Sequence, residues 1–249
     1  NIYNLLYTNE DKKVISLKNN IDLFLYFILI TIIFILSILL VSKDEINGKM
    51  SNINKELNKE LNTLKVSNKN YTNYLFLGDS ITDFYDLDKY YKGYKVVNSG
   101  ISGNTTDDIL NDMKKRAYQY NPSKVFLLIG TNDLIHNKSN EEIVEKVEKI
   151  IEEIKENRSK AEIYLQSIYP VNYKLSPYMV KNRKNDDIKE INEKLEDYCE
   201  DNDITYIDMD DLLKDEDDNF NSKYTKDGLH PNDDGYEVIT KELKKYLDK

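Results

Sequence analysis

Leu75-Phe76-Leu77-Gly78-Asp79-Ser80-Ile81-Thr82 is a short apolar run that ends in glycine, aspartate and serine. Such a run, bounded by turn residues, reads as a buried strand that hands its chain to a turn. A serine there is, taken alone, an ordinary turn residue. Three further segments change its meaning. The strand-like Lys95-Val96-Val97-Asn98 leads into Ser99-Gly100-Ile101-Ser102-Gly103-Asn104-Thr105-Thr106, and Val125-Phe126-Leu127-Leu128-Ile129 leads into Gly130-Thr131-Asn132-Asp133. About 150 residues after the serine comes Asp227-Gly228-Leu229-His230-Pro231-Asn232. In an open parallel sheet, ligands bind beyond the carboxyl ends of the strands. The three N-terminal segments each follow an apolar run, so all three land on that edge.

The rest of the C-terminal region repeats the same alternation. Strands are expected at 74–77, 95–98, 125–129, 162–167 and 205–207, and helical periodicity runs through 105–120, 141–157, 186–201 and 233–247. Strands alternating with helices imply an α/β fold with a parallel sheet covered on both faces. Asn232 is placed to cap the last helix and so to fix the chain just after His230.

The chemistry follows from the residue types. A hydroxyl becomes a nucleophile only when a neighbouring base takes its proton, and Ser80 is the candidate. The chain has only two histidines, His136 and His230. His230 carries Asp227 three residues before it, an acceptor able to fix the ring tautomer and stabilise the imidazolium. His136, just past the third segment, is expected to be exposed. Gly103, without a side chain, lets its N–H approach a reacting carbonyl. Asn132 offers a side-chain amide from the next strand end, and Ser80 its own N–H.

These four segments, in this order, resemble the blocks of the SGNH (GDSL-type) hydrolase family over roughly Tyr74 to Lys249. The resemblance implies a flavodoxin-like three-layer sandwich with a five-stranded parallel sheet. It also implies Ser80, Asp227 and His230 as catalytic residues, with Ser80, Gly103 and Asn132 donating to the oxyanion. One departure stands out. Many relatives carry an acidic residue right after the second-block glycine, where this chain has Asn104, a weaker acceptor than a carboxylate.

Other chemistries find little material. Ser80 is not in a Gly-x-Ser-x-Gly elbow, and neither a Walker A loop nor a Gly-x-Gly-x-x-Gly is present. With two histidines and one cysteine, a zinc site lacks ligands. The acidic clusters lack EF-hand spacing, so no metal and no cofactor are expected. A net charge of −10 over 249 residues argues against a nucleic-acid partner. Cys199, the single cysteine, is expected on a buried helix face.

Residues 23–42 carry no charge and consist mainly of Ile, Leu and Phe. At 1.5 Å per residue this length matches a hydrocarbon core of about 30 Å. Lacking a small-residue cleavage pattern, it reads as a retained anchor. The organisation expected is an N-terminal tail (1–22), a transmembrane helix (23–42), a helical stalk (43–70) and a catalytic domain (71–249). Apolar spacing at Ile46, Met50, Ile53, Leu57, Leu61 and Leu64 supports the stalk. Lysines flank the span on both sides, so charge does not orient it. A single-pass protein of the cell membrane with its catalytic domain outside the cytoplasm is expected, and the oligomeric state is left open.

The reading is a membrane-anchored serine esterase acting on short-chain acyl esters, acetyl above all, of surface glycans or lipids. An O-acyltransferase with the same three residues, a lysophospholipase or thioesterase, and a silent binding module stay open beside it.

Overall fold

The computed structural model describes residues 74–136 and 138–247, together with helical residues 24–29, 31, 49–51 and 53–58. The chain divides into two units, Asn1–Asn70 and Tyr71–Lys249.

In chain order the second unit runs β1 (Tyr74–Gly78), α1 (Ser80–Asp83), α2 (Leu87–Tyr90), β2 (Val96–Gly100), α3 (Thr106–Asn111), α4 (Met113–Arg116) and β3 (Lys124–Leu128). It continues with α5 (Asn140–Asn157), β4 (Glu162–Gln166), α6 (Pro177–Val180), α7 (Asn185–Asp201), β5 (Thr205–Ile207), α8 (Asp210–Leu213) and α9 (Asp233–Leu243). The strands form one sheet in the order β2-β1-β3-β4-β5, and every pairing is parallel. This is the five-stranded α/β architecture expected, in the order of flavodoxin-like sheets.

Alternation along the strands builds two cores. Leu75 and Leu77, Val125 and Leu127, and Ile163 and Leu165 share one face. They pack against α5 through Ile143, Val147, Ile150 and Ile154, and against α7 through Ile188, Ile191 and Leu195. The spacings of three and four along α5 put these side chains on one stripe. Each such burial stabilises the fold by about 1.5–3 kcal/mol. The opposite face is aromatic. Phe76 pairs in register with Phe126, and Phe126 with Tyr164. Their rings stack at 5.0 and 4.9 Å between centroids, and Tyr236, Ile239 and Leu243 of α9 close over that side. Helix starts follow the capping residues. Ser139 and Glu142 form a capping box on α5, and Asn232 caps α9, its Oδ1 accepting from the Gly235 N–H at 3.0 Å.

Two features differ from expectation. The helix expected over 105–120 breaks at Asp112, which leaves helical geometry at φ −135°, ψ 33°. The break separates α3 from α4 and lets Arg116 turn inward over the ends of β1 and β2 (see below). The second difference concerns the N-terminal unit. Among the described residues no helix is long and apolar enough to cross a membrane. Of the expected span 23–42, only residues 24–29 and 31 are described, as helix, and the remainder lies outside the described residues. The expectations of a transmembrane helix, a membrane partner through residues 23–42, and a single-pass cell-membrane location with an extracytoplasmic catalytic domain are corrected accordingly. Of the expected stalk, residues 49–51 and 53–58 are helical, and the rest also lies outside the described residues.

Candidate active site

β1 delivers Asp79 and Ser80 to the carboxyl edge of the sheet. Asp79 caps α1, accepting from the Ile81 N–H at 2.9 Å, so Ser80 opens the helix as its first residue. Gly78 is required just before it. A Cβ there would lie 2.2 Å from Thr82 Oγ1 and 2.4 Å from the Leu128 carbonyl oxygen. Asp79 is buried and its Oδ2 has no hydrogen-bond partner. Burial pushes its carboxyl up to about 7, despite the Ile81 N–H and the nearby Arg183 cation.

The segment before α9 meets Ser80 from the far end of the sequence. Ser80 Oγ lies 2.9 Å from His230 Nε2, and His230 Nδ1 lies 2.7 Å from Asp227 Oδ2. Asp227 Oδ1 also accepts from the Leu229 N–H at 2.9 Å and the His230 N–H at 2.8 Å. Burial raises the Asp227 carboxyl, but those N–H donors and the His230 ring outweigh it and hold it below the usual carboxylate range. Thr225 closes the turn by donating its hydroxyl to the His230 carbonyl at 2.8 Å. The exposed ring of Phe84, one turn along from Ser80, sits 5.1 Å from the imidazole. Ser80, His230 and Asp227 are thus brought together.

The other two expected residues lie on adjacent loops. Gly103 is the third residue of a turn closed by the Asn104 N–H donating to the Ile101 carbonyl at 3.1 Å. Its φ of +81° is left-handed backbone, which favours glycine. Ser102 ties this turn to α1, donating its hydroxyl to Asp83 Oδ2 at 2.6 Å. Asn132 is buried after β3, and its Nδ2 donates to the Asn104 carbonyl at 2.9 Å. That bond sets Asn132 against the residue next to Gly103. His136 is exposed, as expected. Asp133 instead turns inward, accepting from the Thr106 hydroxyl and from Lys138 Nζ, each at 2.6 Å.

Two residues central to this edge were not picked out from the sequence. Arg116 donates Nη2 to the Gly78 carbonyl at 2.8 Å and the Ser99 carbonyl at 2.6 Å, and Nη1 to Asn104 Oδ1. The amide at position 104 is therefore anchored by a cation, and no carboxylate is needed to fix that loop. Arg183 donates Nη2 to Asn132 Oδ1 at 2.8 Å and Nε to both the carbonyl and the hydroxyl of Thr131 at 2.9 Å. Burial depresses both guanidinium groups. A signal did exist. The chain has 35 basic residues, of which all but Arg116, Arg158 and Arg183 are lysine. A planar fork of donors does what a lysine cannot.

A family model described as the GDSL-like Lipase/Acylhydrolase family matches residues 76–238. The chain belongs to that family. The match runs from within β1 into α9 and takes in Ser80, Gly103, Arg116, Asn132, Arg183, Asp227 and His230. Similar proteins extend the comparison. The GDSL-like acylhydrolase is 30% identical over 169 residues to the N-acylneuraminate cytidylyltransferase of Escherichia coli O18:K1:H7, a match covering 67% of this chain and 38% of that protein. The chain therefore spans well under half the length of that relative. A solved structure described as a candidate platelet activating factor from Streptococcus pneumonia is 29% identical, with a TM-score of 0.67 over 81% of this chain and 99% of that one. A GDSL-like lipase from Bacteroides thetaiotaomicron shares the fold at 24% identity, with a TM-score of 0.64 over 72% of this chain and 89% of that one.

Proposed function

We propose that this GDSL-like acylhydrolase is a serine esterase that removes short acyl groups, acetyl above all, from sugar hydroxyls through Ser80, His230 and Asp227. The observation that carries the reading is the continuous contact from Ser80 Oγ through the His230 ring to Asp227, at 2.9 and 2.7 Å. With the ring proton on Nδ1, directed at Asp227, Nε2 accepts the Ser80 proton as Oγ attacks the acyl carbonyl. The carbonyl carbon becomes tetrahedral, and its oxygen takes negative charge against the N–H groups of Ser80 and Gly103 and the Asn132 amide. Collapse breaks the ester bond, and His230 returns its proton to the departing alcohol. Water then gives a proton to His230 and attacks the acyl-enzyme, and the acid leaves with Ser80 restored.

The acyl preference rests on what surrounds the serine. Phe84 sets its ring 5.1 Å from the His230 ring, beside the serine. One ring makes a wall for a small acyl group, not a channel for a long one. The sugar rests on the likeness to part of an enzyme named for an N-acylated sugar acid.

The test is hydrolysis of aryl acetate against longer aryl esters, beside an O-acetylated sugar, with Ser80→Ala as the control. Acetyl-selective turnover lost in the variant is expected. Turnover in Ser80→Ala equal to that of the parent protein would overturn the mechanism. A preference for long acyl chains would overturn the substrate class.

A further inference from the structure

The Asn132 side chain is held by two neighbours that leave it a single orientation. Arg183 has only donors, so the amide atom facing its Nη2 at 2.8 Å is the oxygen. The Asn104 carbonyl is only an acceptor, so the atom facing it at 2.9 Å is the nitrogen. One Nδ2 hydrogen is used by Asn104, and the second points away from it. Asn104 is itself fixed at Oδ1 by Arg116. The two asparagines thus form a row capped at each end by a buried arginine.

Arg183 reaches this place from a different part of the chain. It lies just beyond α6, in the strap from Asn172 to Arg183 that leads into α7. Its Nη1 donates to the carbonyls of Met179 at 3.1 Å and Val180 at 3.0 Å, within that strap. Its other two nitrogens fasten onto Thr131 and Asn132 after β3. The strap's opposite end touches the loop of the base, where the Asn172 N–H donates to the Gly228 carbonyl at 2.8 Å.

We propose that Arg183 is the positioning residue of the oxyanion site, fixing the Asn132 amide so that its free hydrogen meets the charge developing on the substrate oxygen. The proposal rests on the reading of Asn132 as an oxyanion donor. Preorganisation of this kind acts on the transition state and not on ground-state binding. Without Arg183, the amide can rotate and present Oδ1 to a developing anion, which repels it. A merely structural arginine would instead lower stability and leave the chemistry of the folded fraction unchanged.

The experiment is a double-mutant cycle on aryl acetate hydrolysis with Arg183→Met, Asn132→Ala and the pair, read as kcat and KM separately. Phenylboronic acid, whose boron accepts Ser80 Oγ and becomes tetrahedral, serves as the second probe. Asn132→Ala is expected to lower kcat by ~100-fold or more. Arg183→Met is expected to lower it about 100-fold at unchanged KM, to weaken phenylboronic acid in parallel, and to add nothing in the Asn132→Ala background. An Arg183→Met loss that multiplies fully with that of Asn132→Ala would overturn the proposal. So would a change confined to KM, or a kcat near that of the parent protein. Should Arg183→Met not fold, Arg183→Lys replaces it. Its single nitrogen cannot reach Asn132 Oδ1 and the Met179 and Val180 carbonyls together, so the same cycle applies. Full turnover in Asn132→Ala would overturn the oxyanion reading as well, which separates the two failures.

Discussion

Gly228 and Asn172 meet backbone to backbone. The Asn172 N–H donates to the Gly228 carbonyl at 2.8 Å, and a Cβ on Gly228 would lie 2.2 Å from the Asn172 carbonyl oxygen. Gly228 also has a φ of +77° and separates Asp227 from the two N–H groups that Asp227 accepts. Gly228→Ala is therefore expected to move His230 as well as strain the backbone. Gly103 has nearly the same φ, +81°, but nothing within 4 Å of an added Cβ. Gly103→Ala should cost stability of about 1–2 kcal/mol from the left-handed backbone alone. Gly228→Ala should cost more than that. Urea unfolding of both variants gives the comparison, and equal losses would contradict the close-approach argument.

Asp227→Asn separates the two tasks of that carboxylate. The substitution keeps an oxygen for the Leu229 and His230 N–H groups but sets an NH2 against His230 Nδ1. The ring must then carry its proton on Nε2, where it cannot accept from Ser80 Oγ. A kcat about 10⁴-fold lower is expected, with the folded structure retained. A loss below tenfold would show that Asp227 does not set the tautomer.

The fold was legible because the strands write their burial in the sequence. Val125 to Ile129 is apolar at every position, as a strand covered on both faces must be, and the stripe of α5 is equally plain. Ser80 and His230 were legible for a different reason, since each follows directly from a local motif and few other residues could serve. Arg116 and Arg183 were not. The partners that matter, Gly78 and Ser99 for Arg116 and Thr131 and Asn132 for Arg183, are distant in sequence, and nothing local to either position says where its fork will point. The break at Asp112 escaped for the same reason, since 105–120 keeps a helical stripe and the turn serves a contact with Gly78 and Ser99. The apolar run 23–42 misled most. Length and hydropathy state what a segment can span, and among the described residues no helix is long and apolar enough to cross a membrane.

Asp79 makes stability depend on pH in a direction opposite to Asp227. Its folded carboxyl is raised from an ordinary 3.8 to about 7 by burial. Between those values the folded protein holds a proton that the unfolded chain has released, so stability falls as pH rises through that window and levels off above it. Asp227 is depressed, so its contribution is present above the ordinary carboxylate range and is lost as pH falls through its folded value. Asp79→Asn keeps an oxygen for the Ile81 N–H and removes the ionisation. Asp210, raised by burial to about 6, still titrates in that window, so the variant's stability is expected to decline less between about pH 4 and 7 than that of the parent protein. Denaturant unfolding at three or four pH values decides this, and parallel curves for the two proteins would place the titrating group elsewhere.

Phe84 tests whether the His230 ring is steadied from its open side. Its ring is 55% exposed yet lies 5.1 Å from the imidazole of His230 at an interplanar angle of 53°. Being largely exposed, the side chain contributes little to the core, so Phe84→Ala should leave the unfolding midpoint nearly unchanged. Aromatic pairs of this kind contribute about 0.5–1.5 kcal/mol. If that energy holds the ring against Ser80 and Asp227, removing it should lower kcat/KM for aryl acetate by roughly two- to tenfold. Phe84→Leu, which keeps an apolar wall without the ring, separates stacking from simple shielding. Recovery of the parent rate in Phe84→Leu would assign the role to water exclusion, whereas a loss equal to that of Phe84→Ala would assign it to the ring contact with His230.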